Sequence, residues 1–150
     1  MPGSYSSLLC HVVFSTKDRR PLLGAEVQKR LWDYMGGILK RHQCTPLAIG
    51  GTADHVHVLM GLDRDQCVAD AVRDLKSNST RWLHAEYPDL SGFAWQEGYG
   101  AFSVGIAGVE RNKAYIHRQG EHHRTRTFQE EFLAFLNRHG VEHDPRYVWG

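Results

Sequence analysis

Two long stretches of helical apolar spacing enclose a pair of short strand-like runs, and that order leaves few folds open to the chain. Over residues 25–42, Val27, Leu31, Tyr34 or Met35, Ile38 and Leu39 recur every three or four positions, as in an amphipathic helix. Over 68–87 the stripe is Val68, Ala71, Val72, Leu75, Ser79, Trp82 and Leu83, and Pro88 stands where such a helix stops. Between them the apolar runs 45–49 and 56–62, separated by Gly-Gly-Thr-Ala-Asp, read as a hairpin. Segment 5–16, rich in β-branched, aromatic and aliphatic residues, reads as a buried strand, and 93–95 and 102–106 flank a second hairpin-like unit. A helical pattern covers 109–119, where Gly120 can end it. Thr127 with Glu130 forms a capping box that opens a last helix through Arg138.

The order β-α-β-β-α-β predicts an α+β, ferredoxin-like (split βαβ) fold: an antiparallel sheet with helices mainly on one face, followed by C-terminal helices. A chain of 150 residues fits one domain, with a core over about 5–138 and a short C-terminal tail. No run reaches the roughly 18 apolar residues of a membrane span, and no signal pattern opens the chain. The three cysteines form no Cys-x-x-Cys pair, which argues against a disulfide framework and for a cytoplasmic protein. A net charge of +1 gives no global attraction to nucleic acid, so such binding would need a local patch. No Gly-x-x-x-x-Gly-Lys loop is present, so no nucleotide cofactor is expected.

Three constellations carry chemistry. In Asp54-His55-Val56-His57-Val58, strand alternation places His55 and His57 on one face, roughly 7 Å apart at Cα. They either converge on one divalent metal or stand as a solvated pair, since a chain with ten histidines produces pairs readily. Tyr115 and Gln119 lie at i and i+4 of a helix. They are a nucleophilic hydroxyl beside a hard oxygen ligand, or a core tyrosine beside a surface glutamine. Arg111, Lys113, Arg118, Arg124 and Arg126 surround that tyrosine against the single acid Glu121, and Lys17, Arg19 and Arg20 follow the first strand. These clusters track a phosphate backbone or form a solvated face.

Taken in order, the strings HVVFSTKDRRPLL, DHVHVL, LKSNSTRW, AWQEGYGAFSV, Tyr115-Ile116-His117-Arg118-Gln119 and EHHRTRTFQEEFLAFL resemble the small single-tyrosine HUH (histidine–hydrophobic–histidine) transposases of the insertion sequence 200/605 type. The resemblance implies that His55 and His57 bind a divalent cation, Mg²⁺ or Mn²⁺, with Gln119 as third ligand. It implies that Tyr115 attacks a phosphodiester of single-stranded DNA, forming a 5′-phosphotyrosine link and freeing a 3′-hydroxyl. It also implies a homodimer acting on hairpins near element ends, with Lys17, Arg19, Arg20, Arg118, Arg124 and Arg126 as candidate DNA contacts. Two alternatives share much of this pattern: a domesticated relative acting on host repetitive hairpins, and a non-catalytic nucleic-acid-binding domain of the same fold.

Overall fold

A computed structural model describes residues 2–123 and 126–149, apart from the side chains of 121 and 122. The elements are β1 (Leu8–Ser15), α1 (Ala25–Arg41), β2 (Thr45–Gly51), β3 (His55–Leu62), α2 (Val68–Glu86), β4 (Gly100–Ser103), α3 (Val109–His117), α4 (Gln119–His122) and α5 (Phe128–Arg138). The four strands form one antiparallel sheet in the order β2-β3-β1-β4. This is the split βαβ arrangement predicted from the order of periodicities.

Strand alternation divides the molecule into two layers. Cys10, Val12 and Phe14 of β1 and Val56, Val58 and Met60 of β3 join Leu31, Met35, Ile38 and Leu39 of α1 and Val72, Leu75 and Leu83 of α2 in the main core. The residues between them point to the opposite face. There Val13 packs with Phe102, Phe128, Phe132 and Phe135, and Leu59 packs with Ala48 and Ile116. The two long helices therefore share one face, and the C-terminal helices cover the other. His55 and His57 lie opposite Ser15 and Val13 in the β1–β3 register, so they belong to this second layer. Both are fully buried, which removes the reading of a solvated pair.

Two segments depart from the sequence expectation. Residues 93–95 make only an isolated bridge, Trp95 to Thr16. The backbone that follows is claimed by a side chain, because Lys76 Nζ donates to the carbonyls of Gln96, Glu97 and Gly98 at 2.7, 3.1 and 2.7 Å. Trp95 is fixed in turn by donating Nε1–H to Ser79 Oγ at 2.9 Å. The expected helix over 109–119 ends at His117, with Arg118 outside helical geometry at φ −105°, ψ 23°. Gln119 then starts α4, and its side-chain amide reaches back to the Tyr115 carbonyl at 3.4 Å. The last helix opens on the expected capping box, with Glu130 N–H donating to Thr127 Oγ1 at 3.1 Å. Among the described residues no helix is long and apolar enough to cross a membrane.

Helix α3 lies close against β2. A Cβ on Gly50 would sit 2.6 Å from the Ile116 carbonyl oxygen and 3.1 Å from its Cγ2, closer than packed atoms tolerate. Gly50→Ala is therefore expected to push α3, and Tyr115 with it, off the sheet. A loss of about 1–3 kcal/mol, the usual range for overpacking, should appear in urea unfolding. A variant as stable as the parent would show that α3 is not held at this point.

Candidate active site

Strand β3 delivers His55 and His57 to the face covered by α3, α4 and α5, and each ring is held from behind. Asp54 Oδ1 lies 2.7 Å from His55 Nδ1 and accepts from Thr52 Oγ1 at 3.0 Å. Burial would raise the Asp54 carboxyl, but the His55 and Thr52 hydrogen bonds outweigh it and hold it below its usual value. Asp54 is thus an ionised acceptor, which assigns the Nδ1–H tautomer to His55 and leaves Nε2 facing inward. Behind His57, Nδ1 lies 2.7 Å from Nε2 of His11, a buried histidine of β1. His11 is lowered to about 3, chiefly by burial and then by His57, with Glu131 and the Asn112 side chain of α3 pulling the other way. It is therefore neutral and can accept the Nδ1–H of His57. His57 itself is lowered to about 4, chiefly by burial and against the opposing pull of Glu131.

In front of the two rings the sheet and the C-terminal helices converge. Glu131 Oε1 of α5 lies 2.9 Å from His57 Nε2, 3.1 Å from His123 Nε2 and 3.5 Å from His55 Nε2. Gln119 Oε1 lies 3.0 Å from His55 Nε2. The hydroxyl of Tyr115 donates to the other oxygen of the same carboxylate, Glu131 Oε2. Burial opposes ionisation of Glu131, yet the His123, His57 and Tyr115 contacts together drive its carboxyl far below the ordinary range. Burial first, and then Glu131, raise the Tyr115 phenol well above its usual value, while Arg126 acts in the other direction.

One ligand atom from each of His55, His57, His123 and Glu131 falls within 4.8 Å of the others. With the His55 tautomer fixed by Asp54, its Nε2 lone pair faces the oxygens of Gln119 and Glu131, an arrangement that a cation satisfies. The donor set thus fits a divalent metal on chemistry as well as distance. The sequence had pointed to His55, His57, Gln119 and Tyr115, and the fold brings all four together. It had not pointed to Glu131, His123 or His11. Glu131 carried a signal all the same: it stands in the apolar stripe Phe128, Phe132, Phe135 of α5, where a charged residue is out of place. His11 likewise interrupts the apolar run of β1. The convergence of His123 on this point has no counterpart in local sequence.

Of the candidate basic residues, Arg19 and Arg126 lie at clefts beside the site. Arg19 and Arg126 line a cleft of about 790 Å³ beside Asp54, His123 and Thr127. Arg126 also lines a smaller one of about 110 Å³ with Tyr115, Glu131, Arg111 and Arg138. Lys17, Arg20 and Arg118 are exposed outside both, and Arg124 lies outside the described residues.

The chain is similar to known transposases. The chain is 27% identical over 122 residues to the ISDra2 transposase TnpA of Deinococcus radiodurans, spanning 78% of this chain and 87% of that protein. The crystal structure of a candidate transposase from Deinococcus radiodurans superposes with a TM-score of 0.66 at 27% identity, covering 79% of this chain and 95% of the other. A REP-associated tyrosine transposase bound to a REP hairpin shares the fold, with a TM-score of 0.60 at 15% identity over 82% of this chain and 73% of that one. The family model for IS200-like transposases matches residues 4–119, a span holding both strand histidines, Tyr115 and Gln119. The chain belongs to the IS200-like transposase family.

Proposed function

We propose that this transposase is a metal-dependent single-strand DNA nuclease and strand-transfer enzyme in which Tyr115 is the nucleophile. The observation that carries the reading is one carboxylate shared between two groups. Glu131 holds the Tyr115 hydroxyl on Oε2 while its Oε1 faces the ring nitrogens of His57 and His123. A tyrosine oxygen and a metal-binding set therefore sit at one point, beside a cleft lined by Arg111, Arg126 and Arg138.

The chemistry follows from that placement. Phosphodiesters repel nucleophiles by their charge, and arginines at the cleft offset it. His55 and His57, with Gln119, would hold a divalent cation, which polarises a phosphoryl oxygen and lowers the cost of forming phenolate nearby. Tyr115 Oη attacks phosphorus, the bond from phosphorus to the 3′-oxygen breaks, and the DNA 5′-phosphate becomes esterified to the tyrosine. The phenol proton, hydrogen-bonded at rest to Glu131 Oε2, is given up as Tyr115 attacks, and one proton is taken up by the departing 3′-oxygen, which leaves as a hydroxyl, so the step balances. Attack of a 3′-hydroxyl on the phosphotyrosine reverses these steps at a new junction. The phosphodiester energy is kept, so no nucleoside triphosphate is required.

The substrate in this reading is single-stranded DNA marked by hairpins at element ends, and the acting species is a homodimer of single-domain chains. The exposed Lys17, Arg20 and Arg118, and Arg19 and Arg126 at the cleft, are backbone contacts. End-labelled hairpin DNA incubated with the protein and Mn²⁺ should be cut, and EDTA should abolish the cut. A protein that shifts the hairpin on a native gel but leaves it uncut whichever divalent metal is added would overturn the reading in favour of a binding module.

A further inference from the structure

Glu131 lies in a segment beyond residues 4–119, the span shared with the family, and so does His123. Glu131 is buried to 1% exposure. Burying a carboxylate costs several kcal/mol unless charge or hydrogen bonds compensate. Besides the Tyr115 hydroxyl, the polar side chains that meet it among the described residues are the imidazoles of His55, His57 and His123. A carboxylate needed only to fill the apolar stripe of α5 would be better replaced by leucine. A carboxylate needed to orient one histidine would sit behind that ring, as Asp54 does for His55. Glu131 instead stands on the inward side, facing the Nε2 atoms that Asp54 and His11 leave directed at the site.

We propose that Glu131 and His123 are ligands of the same cation as His55 and His57, making the centre a three-imidazole, one-carboxylate set, with the Gln119 amide oxygen beside it, that selects first-row transition ions over Mg²⁺. The inference rests on the reading that this site holds a divalent metal, and it adds both the ligands and the class of ion. Three imidazole nitrogens are a borderline-soft set that suits Mn²⁺, Fe²⁺, Co²⁺ or Zn²⁺, whereas Mg²⁺ keeps oxygen ligands and water. It also assigns a task to the C-terminal segment. A cation bound to β3 through His55 and His57 and to α5 through Glu131 ties the last helix to the sheet.

The test measures metal binding rather than cleavage. The full chain is titrated with Mn²⁺, Co²⁺ and Mg²⁺ against a competing chromophoric chelator, and thermal melting is followed with and without each ion. Wild type should bind Mn²⁺ and Co²⁺ at least about a hundredfold tighter than Mg²⁺. Glu131→Gln keeps the shape and His123→Ala alters a partly exposed ring, so both should fold, and the metal-induced rise of each is read against its own melting temperature in EDTA. Each should weaken Co²⁺ binding by at least about tenfold and lose most of the metal-induced rise in melting temperature. If either variant does not fold, the other carries the test alone. Binding that depends on His55 and His57 but is unchanged in Glu131→Gln and His123→Ala overturns this inference and leaves the metal reading standing. Binding indifferent to His55 as well overturns both.

Discussion

Alanine at His55 or His57 should abolish DNA cleavage while hairpin binding persists. A positioned metal supplies several kcal/mol of stabilisation to a phosphoryl transition state. At 1.36 kcal/mol for each tenfold in rate, its loss costs about a thousandfold or more. Hairpin affinity comes from backbone contacts outside the imidazole cluster, in the reading above from residues such as Lys17, Arg19 and Arg126, and those contacts do not need the ion. Native-gel titration and a denaturing cleavage gel on the same preparations separate the two effects. Folded variants that lose binding and cleavage equally would assign the histidines to structure rather than catalysis.

Acid should unfold the protein well before carboxylates alone would require it. His57 is held at about 4 and His11 at about 3, against an ordinary value of 6.5. Between these limits the unfolded chain takes up protons that the native state refuses, so stability is fully present above pH 6.5 and drains away as pH falls toward 4. For His57 alone the difference is worth about 3 kcal/mol. His11 and His57 face each other, so their contributions do not simply add. Glu131 works in the same direction, because its depressed carboxyl stays ionised in the native state below the pH at which the unfolded chain protonates. Urea unfolding in EDTA should show a clear fall in midpoint from pH 7.5 to pH 4.5. A flat profile would mean that these histidines are protonated in the folded protein, against the neutral His11–His57 pair described above.

The fold was legible because it rests on periodicities that a sequence displays. The stripes of α1 and α2 and the alternation of β3 state their own geometry, and Thr127 with Glu130 announces the start of α5. The half of the site built on local spacing was legible for the same reason: His55 and His57 are two apart on a strand, and Gln119 is four after Tyr115. The break at Arg118 was not, since it depends on the Gln119 side chain turning inward to the Tyr115 carbonyl and to His55. Nor was the place of His123 and Glu131 in the cluster, since they are 66 and 74 positions beyond His57 (123 − 57 and 131 − 57) and meet it only once α4 and α5 have closed over the sheet. Residues 93–95 misled because Phe93 and Trp95 look like strand residues. Tertiary contacts with Ser79 and Phe14 decided their conformation instead.

Of the six tyrosines in the chain, only Tyr115 meets the His55–His57–His123–Glu131 cluster among the described residues, and the proposed reaction turns on its hydroxyl. Tyr115→Phe removes a single oxygen and leaves the ring among His11, His57 and Phe135, so folding and hairpin binding should survive. Labelled single-stranded hairpin DNA is incubated with wild type and Tyr115→Phe in Mn²⁺, run on a denaturing gel, and any protein–DNA adduct is digested and mapped by mass spectrometry. Wild type should give a covalent adduct on the 5′ end of the cleaved fragment, with the nucleotide on the peptide containing Tyr115, and the variant should give none. An adduct of equal yield in Tyr115→Phe, or one that maps to another residue, would contradict the assignment.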